Sequence, residues 1–143
     1  MAQLKISELP DGGPLQVGDA MVLVRGGETF RSVFSGHLVS YTWNNNGNTA
    51  VGNNLSIGQL DGMLLAYDAD LIAMSIIRTD NDLGNIEVLN NGVVIKTVAS
   101  TEFKVVETFS GISCSALDVI SVRNGAGGNT VSNCGVTLTF RIG

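Results

Sequence analysis

The 143-residue sequence is poor in charge and in the residue types that usually carry catalysis. It contains eight Lys and Arg, 13 Asp and Glu, one histidine and two prolines. The cations form no cluster, which argues against partners such as duplex nucleic acid or an anionic membrane surface, because both require several converging positive charges. No run of about 18 apolar residues is present, so the sequence predicts no membrane span.

The first residues, MAQLKISELPDGG, lack the apolar core of a secretory signal. We therefore expect the chain to be made in a cytoplasm. Any extracellular role would then follow from its assembly into a larger particle.

Cysteine is also scarce, and Cys114 and Cys134 stand apart in the chain without a Cys-x-x-Cys or Cys/His spacing. Zinc ligation is therefore not expected. We expect two buried thiols, with a disulfide between them as the alternative.

Apolar residues, glycine and asparagine are abundant: 44% of the chain is hydrophobic and 18 residues are glycine. So many apolar residues with so few charges indicate burial against partner chains. Short apolar runs such as His37–Trp43 alternate with Gly/Asn turns, and no stretch has a helical period. The pattern predicts an all-β protein of about eight strands, arranged as a sandwich or barrel.

Two β-hairpins are expected. The first joins Met21–Arg25 to Thr29–Val33 through Gly26-Gly27, and the second joins Ile86–Leu89 to Val93–Val98 through a turn at 90–92. Since an isolated hairpin is marginally stable in water, the first one must pack on its own domain or on a neighbouring protein.

The stretch LIAMSIIRT carries apolar or small residues on both faces when strict alternation is assumed. We expect this strand and the preceding MLLAY to be covered on both sides, at a subunit interface. The alternative is cover by the arm or loops of the same chain. The predicted interface residues are Leu65, Tyr67, Ile72, Met74 and Ile76.

No catalytic residue, metal site or cofactor is predicted. His37 has no partner that the sequence can nominate. The pairs Asp68/Asp70 and Asp80/Asp82 fit solvated turns better than a calcium loop, because Gly84 stands where an oxygen ligand belongs and no bidentate Glu follows. A glycan-active enzyme using these carboxylates is the least favoured alternative. The glycine-rich stretch 124–130 lacks the lysine and the helix of a phosphate-binding loop.

The segment KISELP, followed by GD..VLVRGGETFR, resembles the opening of many tailed-bacteriophage structural proteins. The matching positions are Lys5, Ile6, Ser7, Leu9, Pro10, Gly18, Asp19, Val22, Val24, Gly26, Gly27 and Thr29. The resemblance implies that residues 1–34 form an attachment arm that binds another virion component. The expected attachment residues are Leu4, Ile6, Leu9, Val22, Val24, Arg25, Thr29 and Arg31.

The remainder, residues 35–143, is similar to jelly-roll modules of the C1q/TNF type, which phages also use. The similarity lies in the strand pair around DGMLLAYDADLIAMSIIRTD, the hairpin IEVLNNGVVIKT, and the closing LDVISVRNGAGGN…NCGVTLTFRIG. In ALDVISV, Leu117 replaces a glycine that is common in the pattern. The resemblance implies a jelly-roll β-sandwich that forms homotrimers.

Two functions follow from the resemblance, and neither involves catalysis. The first is a capsid decoration (cement) protein that binds the major capsid protein on the virion surface and stabilises the shell. The alternative is a short head or tail fibre whose polar loop binds a host-surface glycan. The residues expected to contact the glycan are Asn44, Asn45, Asn46 and Asn48.

Overall fold

The computed structural model describes residues 18–33 and 36–143, and its regular secondary structure there is entirely β. The predicted arm residues Leu4, Ile6 and Leu9 lie outside the described residues. In the part described, no helix is long and apolar enough to cross a membrane. The strands are β1 Ala20–Arg25, β2 Glu28–Val33, β3 His37–Asn44, β4 Asn48–Thr49, β5 Gly62–Leu64, β6 Ala69–Ile77, β7 Gly84–Asn90, β8 Val93–Ser100, β9 Lys104–Cys114, β10 Val119–Asn124, β11 Val131–Ser132 and β12 Gly135–Ile142.

Strands β1 and β2 form an antiparallel hairpin, which belongs to a unit separate from the sandwich. Gly26 and Gly27 close it with φ angles of 60° and 82°. Two consecutive positive φ angles define a type I′ turn, whose twist matches that of the flanking strands. The predicted first hairpin is therefore confirmed, with each strand starting one residue earlier than expected.

Residues 37–142 form the second compact unit, a β-sandwich. One sheet has the strand order β3-β12-β6-β9 and the other has the order β5-β10-β7-β8. Every pairing is antiparallel, and most chain connections cross from one sheet to the other, as in a jelly roll. The predicted fold class is confirmed.

The hydrophobic core lies between the two sheets. On β12, Val136, Leu138 and Phe140 are fully buried, while Thr137 and Thr139 face the other way, as the alternation predicts. The opposite sheet contributes the inward side chains of β7 and β10, and Trp43 fills the end of β3. The large side chains with almost no exposed surface are Trp43, Leu55, Leu71, Met74, Ile86, Val88, Val98, Ile120, Val122, Val131, Leu138 and Phe140.

Strand β6 contains a β-bulge at Ile72, which corrects the predicted division of its faces. The register shifts between Leu71 and Ala73 against both neighbouring strands. Ile72 is an extra residue opposite β12, whereas opposite β9 the three residues 109–111 face Ile72 alone, so the extra residues there belong to β9. Leu71, Met74 and Ile76 consequently all point into the core and are at most 2% exposed.

The bulge also changes the predicted subunit interface. Leu65, Met74 and Ile76 pack in the core of their own chain and are no more than 5% exposed, so they have no surface to offer a second copy. The prediction was wrong for these three residues. Ile72 is half-buried, and Tyr67 is 66% exposed.

The second hairpin, β7–β8, ends in a two-residue turn at Asn91-Gly92. Its φ angles of 50° and 82° again define type I′ geometry, which asparagine and glycine tolerate. The predicted hairpin is confirmed, although Asn90 belongs to the strand rather than to the turn.

Candidate functional site

The sandwich has two ends of different chemistry. The ladder of the first sheet aligns His37, Ile142, Ala69 and Cys114 across its four strands at one end. We call it the entry end, because the chain enters the sandwich at His37. The opposite end, here called the loop end, carries Asn44, Gly135 and Lys104 in the corresponding row.

The entry end exposes an unusual concentration of large apolar side chains. Leu64 and Val119 are directly paired across β5 and β10, and the Leu117 amide donates to the Leu65 carbonyl at 2.8 Å, so these residues adjoin one another. Single exposed apolar residues are ordinary, but a contiguous group marks an interaction surface. The exposed apolar residues at this end are Leu38 (66%), Leu64 (59%), Tyr67 (66%), Val93 (67%), Leu117 (73%) and Val119 (42%).

A pocket of about 260 Å³ lies at the same end. Tyr41 and Phe140 form part of its wall, with their rings in an edge-to-face contact at 6.3 Å. Its lining consists of Val39, Tyr41, Leu65, Ala66, Tyr67, Ala69, Phe140 and Ile142. This lining could accept an apolar side chain from a partner.

Asp118 holds the turns of the entry end together. Its carboxylate accepts hydrogen bonds from Asn90 Nδ2 at 2.7 Å, from the Ser115 amide at 2.8 Å and from Asn91 Nδ2 at 2.8 Å. These donors, led by Asn90, lower the pKa of Asp118 and keep it ionised. The β7–β8 turn and the β9–β10 turn are thereby fixed to each other.

Two further carboxylates lie at this end. Asp68 is exposed and accepts a hydrogen bond from the Ala116 amide at 2.8 Å. Asp70 is paired with Arg141 at 3.0 Å and accepts a hydrogen bond from Ser113, and the Arg141 contact is the main cause of its lowered pKa. The side chains of Asp68 and Asp70, which the sequence offers as a carboxylate pair, therefore each make hydrogen bonds within the fold.

The asparagine-rich loop lies at the loop end, and its side chains mainly organise the loop itself. Asn45 donates to Thr49 Oγ1 at 2.9 Å, and Asn48 accepts a hydrogen bond from the Ser132 hydroxyl at 2.7 Å. Asn44 pairs through its backbone with Ser56 in an isolated bridge. Among the residues predicted to bind glycan, the side chains of Asn45 and Asn48 thus have structural partners, and Asn44, Asn46 and Asn48 are exposed.

Arg78 is a fully buried cation at the loop end. Its Nη2 donates to the carbonyls of Ser100, at 2.7 Å, and Asp82, and Nη1 lies 3.4 Å from Asp80 Oδ1. The other oxygen of Asp80 accepts a hydrogen bond from the Ser132 amide. Asp80, through its carboxylate, and Asp82, through its carbonyl, therefore connect neighbouring loops. Residues 36–143 contain no group of three or more His, Cys, Asp or Glu placed to hold a metal.

Both cysteines are free and buried, as the sequence predicts. Burial raises the pKa of the Cys134 thiol to about 11 and also raises that of Cys114. A protonated, inaccessible thiol is a poor nucleophile, so neither residue is suited to covalent chemistry.

The outer face of the β3-β12-β6-β9 sheet is uncharged over two rows of the ladder. Its side chains are almost all small, and two pairs of hydroxyls bond across strands: Thr42 with Thr137 at 2.8 Å and Ser40 with Thr139 at 2.9 Å. One row holds Thr42, Thr137, Ser75 and Val106, and the next holds Ser40, Thr139, Ala73 and Thr108. Val106 is 75% exposed. Such a face allows close approach of another surface.

Sequence reasoning missed most of these surface residues. The outer-face rows combine residues of β3, β12, β6 and β9, and sequence order does not show that these strands are neighbours. The entry end joins residues from strands far apart in the chain, such as Leu38 and Leu117, and sequence order does not bring these together. Of the residues predicted to form the attachment arm, Thr29 and Arg31 are exposed on β2, while Val22, Val24 and Arg25 belong to β1.

Comparison with protein-family models and with curated proteins found no match to this chain.

Proposed function

We propose that this chain is a non-enzymatic structural protein of a tailed-bacteriophage virion, a homotrimeric capsid decoration protein that binds the head shell and stabilises it. The observation that supports the proposal best is the apolar entry end, where the chain passes from the hairpin unit into the sandwich. A group of exposed apolar side chains of this kind is suited to docking on another protein.

The hairpin unit supports the same proposal. A two-stranded hairpin has little stability of its own in water, so β1–β2 is suited to pairing with, or packing on, another protein. Thr29 and Arg31 are exposed on this hairpin and available for such contacts. Three arms on one rigid trimer would act together, and avidity would turn weak single contacts into stable binding.

The outer face of the β3-β12-β6-β9 sheet is the surface we propose for contact between copies. It combines small side chains, which permit close approach, with the exposed Val106 and Ile77. Burial of this face would cover Val106 and Ile77, which a single copy leaves exposed. This assignment replaces the core residues that simple alternation had indicated.

A fibre that binds host glycan receives less support. Asn45 and Asn48 already have partners within the loop end. Sugar binding by their amides would therefore compete with the bonds that hold the loop.

The test is deletion of residues 1–34 from the full chain. We expect the remaining sandwich to stay folded and oligomeric, as measured by circular dichroism and light scattering, because its core lies within residues 37–142. We also expect it to lose co-sedimentation with purified particles that lack the protein. The full-length chain is the control.

Retained binding by the deletion variant would contradict the role of the arm. Fluorescently labelled full-length protein separates the two virion roles by location. Labelling over the whole head supports decoration, and labelling confined to one vertex or to the tail supports the fibre.

A further inference from the structure

Leu117 occupies a backbone conformation that leucine rarely adopts. The Asp118 amide donates to the Ser115 carbonyl at 3.1 Å, so residues 115–118 form a β-turn. Leu117 is the third residue of the turn and has a φ of 72°. That combination identifies a type II turn, whose third position normally holds glycine or asparagine because a Cβ atom is crowded there.

The turn is held firmly in spite of this strain. The Ala116 amide donates to Asp68 at 2.8 Å and the Ser115 amide donates to Asp118 at 2.8 Å. The side chain that is strained into place is nevertheless 73% exposed, so it contributes little to the core. Strain that persists at an exposed apolar residue points to a role in binding rather than in folding.

We propose that Leu117, with Leu64 and Val119 beside it, is the apolar anchor by which the entry end docks onto a protein surface that carries an apolar recess bordered by Lys or Arg. The inference rests on the proposed function, since the partner is then the shell protein of the particle. The proposed anchor is a second contact with the partner, in addition to the contact made by the arm, and its chemistry is apolar with a charged border.

Charge complementarity identifies the partner's border. Asp68 and Asp118 stand at the base of the Leu117 turn, one on each side. Within residues 37–142, the cation near this end is Arg141, and it is paired with Asp70 at 3.0 Å. Two copies meeting through this surface would bring carboxylates together, whereas a basic border would pair with them.

The experiment measures binding of the full chain to purified particles that lack it, using Leu117→Asn as the main variant. Asparagine tolerates the positive φ, so the melting temperature should be unchanged or higher. Loss of the anchor should raise the dissociation constant about tenfold to a hundredfold. Leu60→Asn is the matched control, because Leu60 is similarly exposed, at 68%, and lies outside the entry end.

Asp68→Asn tests the charged border separately. The amide oxygen can still accept the Ala116 hydrogen bond, but the charge is gone. We expect weaker binding at low salt and little difference at high salt, because a rim charge acts mainly on the association rate. Asp82→Asn, which removes an exposed charge at the loop end, should have no effect.

The outcomes separate this inference from the proposed function. If wild-type protein binds particles and Leu117→Asn binds equally well, the anchor is refuted while the decoration role stands. A lower melting temperature for Leu117→Asn would show that Leu117 is structural and would also refute the anchor. If Asp68→Asn has no effect at low salt, the basic border is refuted. If wild-type protein does not bind at all, the inference and the proposed function both fail.

Discussion

Replacement of Arg78 by methionine tests how the loop end is held together. Arg78 is completely buried and serves three carbonyl groups, those of Ser100, Asp82 and Glu102, in addition to its contact with Asp80. Methionine fills a similar volume but offers no donor. The variant would remove the Arg78 donors from three carbonyls and the positive charge from beside Asp80, which would keep only the hydrogen bond from the Ser132 amide.

The size of the effect follows from burial. Removal of one partner from a buried ion pair costs about 3–5 kcal/mol, because the other charge stays behind uncompensated. Asp80 retains 23% exposure of its side chain, so water can partly solvate it, and we expect a value near the lower end of that range. For a domain of this size, about 3 kcal/mol corresponds to a fall in melting temperature of roughly 10–20 °C.

The assay is urea and thermal unfolding, followed by circular dichroism. Arg123→Met is the matched control, since Arg123 makes a comparable ion pair with Glu87 at 2.6 Å but its side chain is 33% exposed. We expect the control to lose about 1 kcal/mol. A loss below about 1 kcal/mol for Arg78→Met, or a loss equal to that of the control, would refute the structural role assigned to Arg78.

Two further predictions concern Gly84 and Cys134. A Cβ atom at Gly84 would lie 2.6 Å from Val131 Cγ1, so Gly84→Ala should lower the free energy of unfolding by about 1–3 kcal/mol. The control is Gly135→Ala, whose closest new contact is 3.4 Å and which should cost less than about 1 kcal/mol. Equal losses in urea unfolding would contradict the crowding at Gly84. The pKa of Cys134 is about 11 in the folded protein and 9.0 ordinarily, so the unfolded chain binds fewer protons than the folded one between these two pH values. The free energy of unfolding should therefore fall as the pH rises through this window, by about 1.4 kcal/mol at pH 10. Cys134→Ala should lose this part of the pH dependence, and an unchanged dependence would contradict the assigned burial.

The fold could be predicted from the sequence because its signals are local. Gly26-Gly27 and Asn91-Gly92 are residues that type I′ turns require, and both hairpins form where they indicate. The alternation of β12 likewise shows which side faces the core. Each of these features depends on residues within one or two strands.

The proposed contact surfaces, which are the outer sheet face and the entry end, could not be predicted from such local signals. The inward-facing positions of β6 change after Leu71, because Ile72 is an extra residue opposite β12. Strand β9 has extra residues of its own opposite Ile72, so the pattern depends on pairing with both neighbours. The entry end depends on contacts between segments far apart in the chain, such as Leu64 with Val119. Leu117 was visible in the sequence as a departure from glycine, but its exposure and its positive φ required the structure.

A cryo-electron microscopy map of the phage particle to which we propose this chain belongs tests the central claim most directly. The account predicts sandwiches arranged as trimers on the head, with the entry end and Leu117 turned toward the shell and the asparagine-rich loop turned outward. Sandwiches that meet the shell through the loop end, or a particle without this chain, would contradict it.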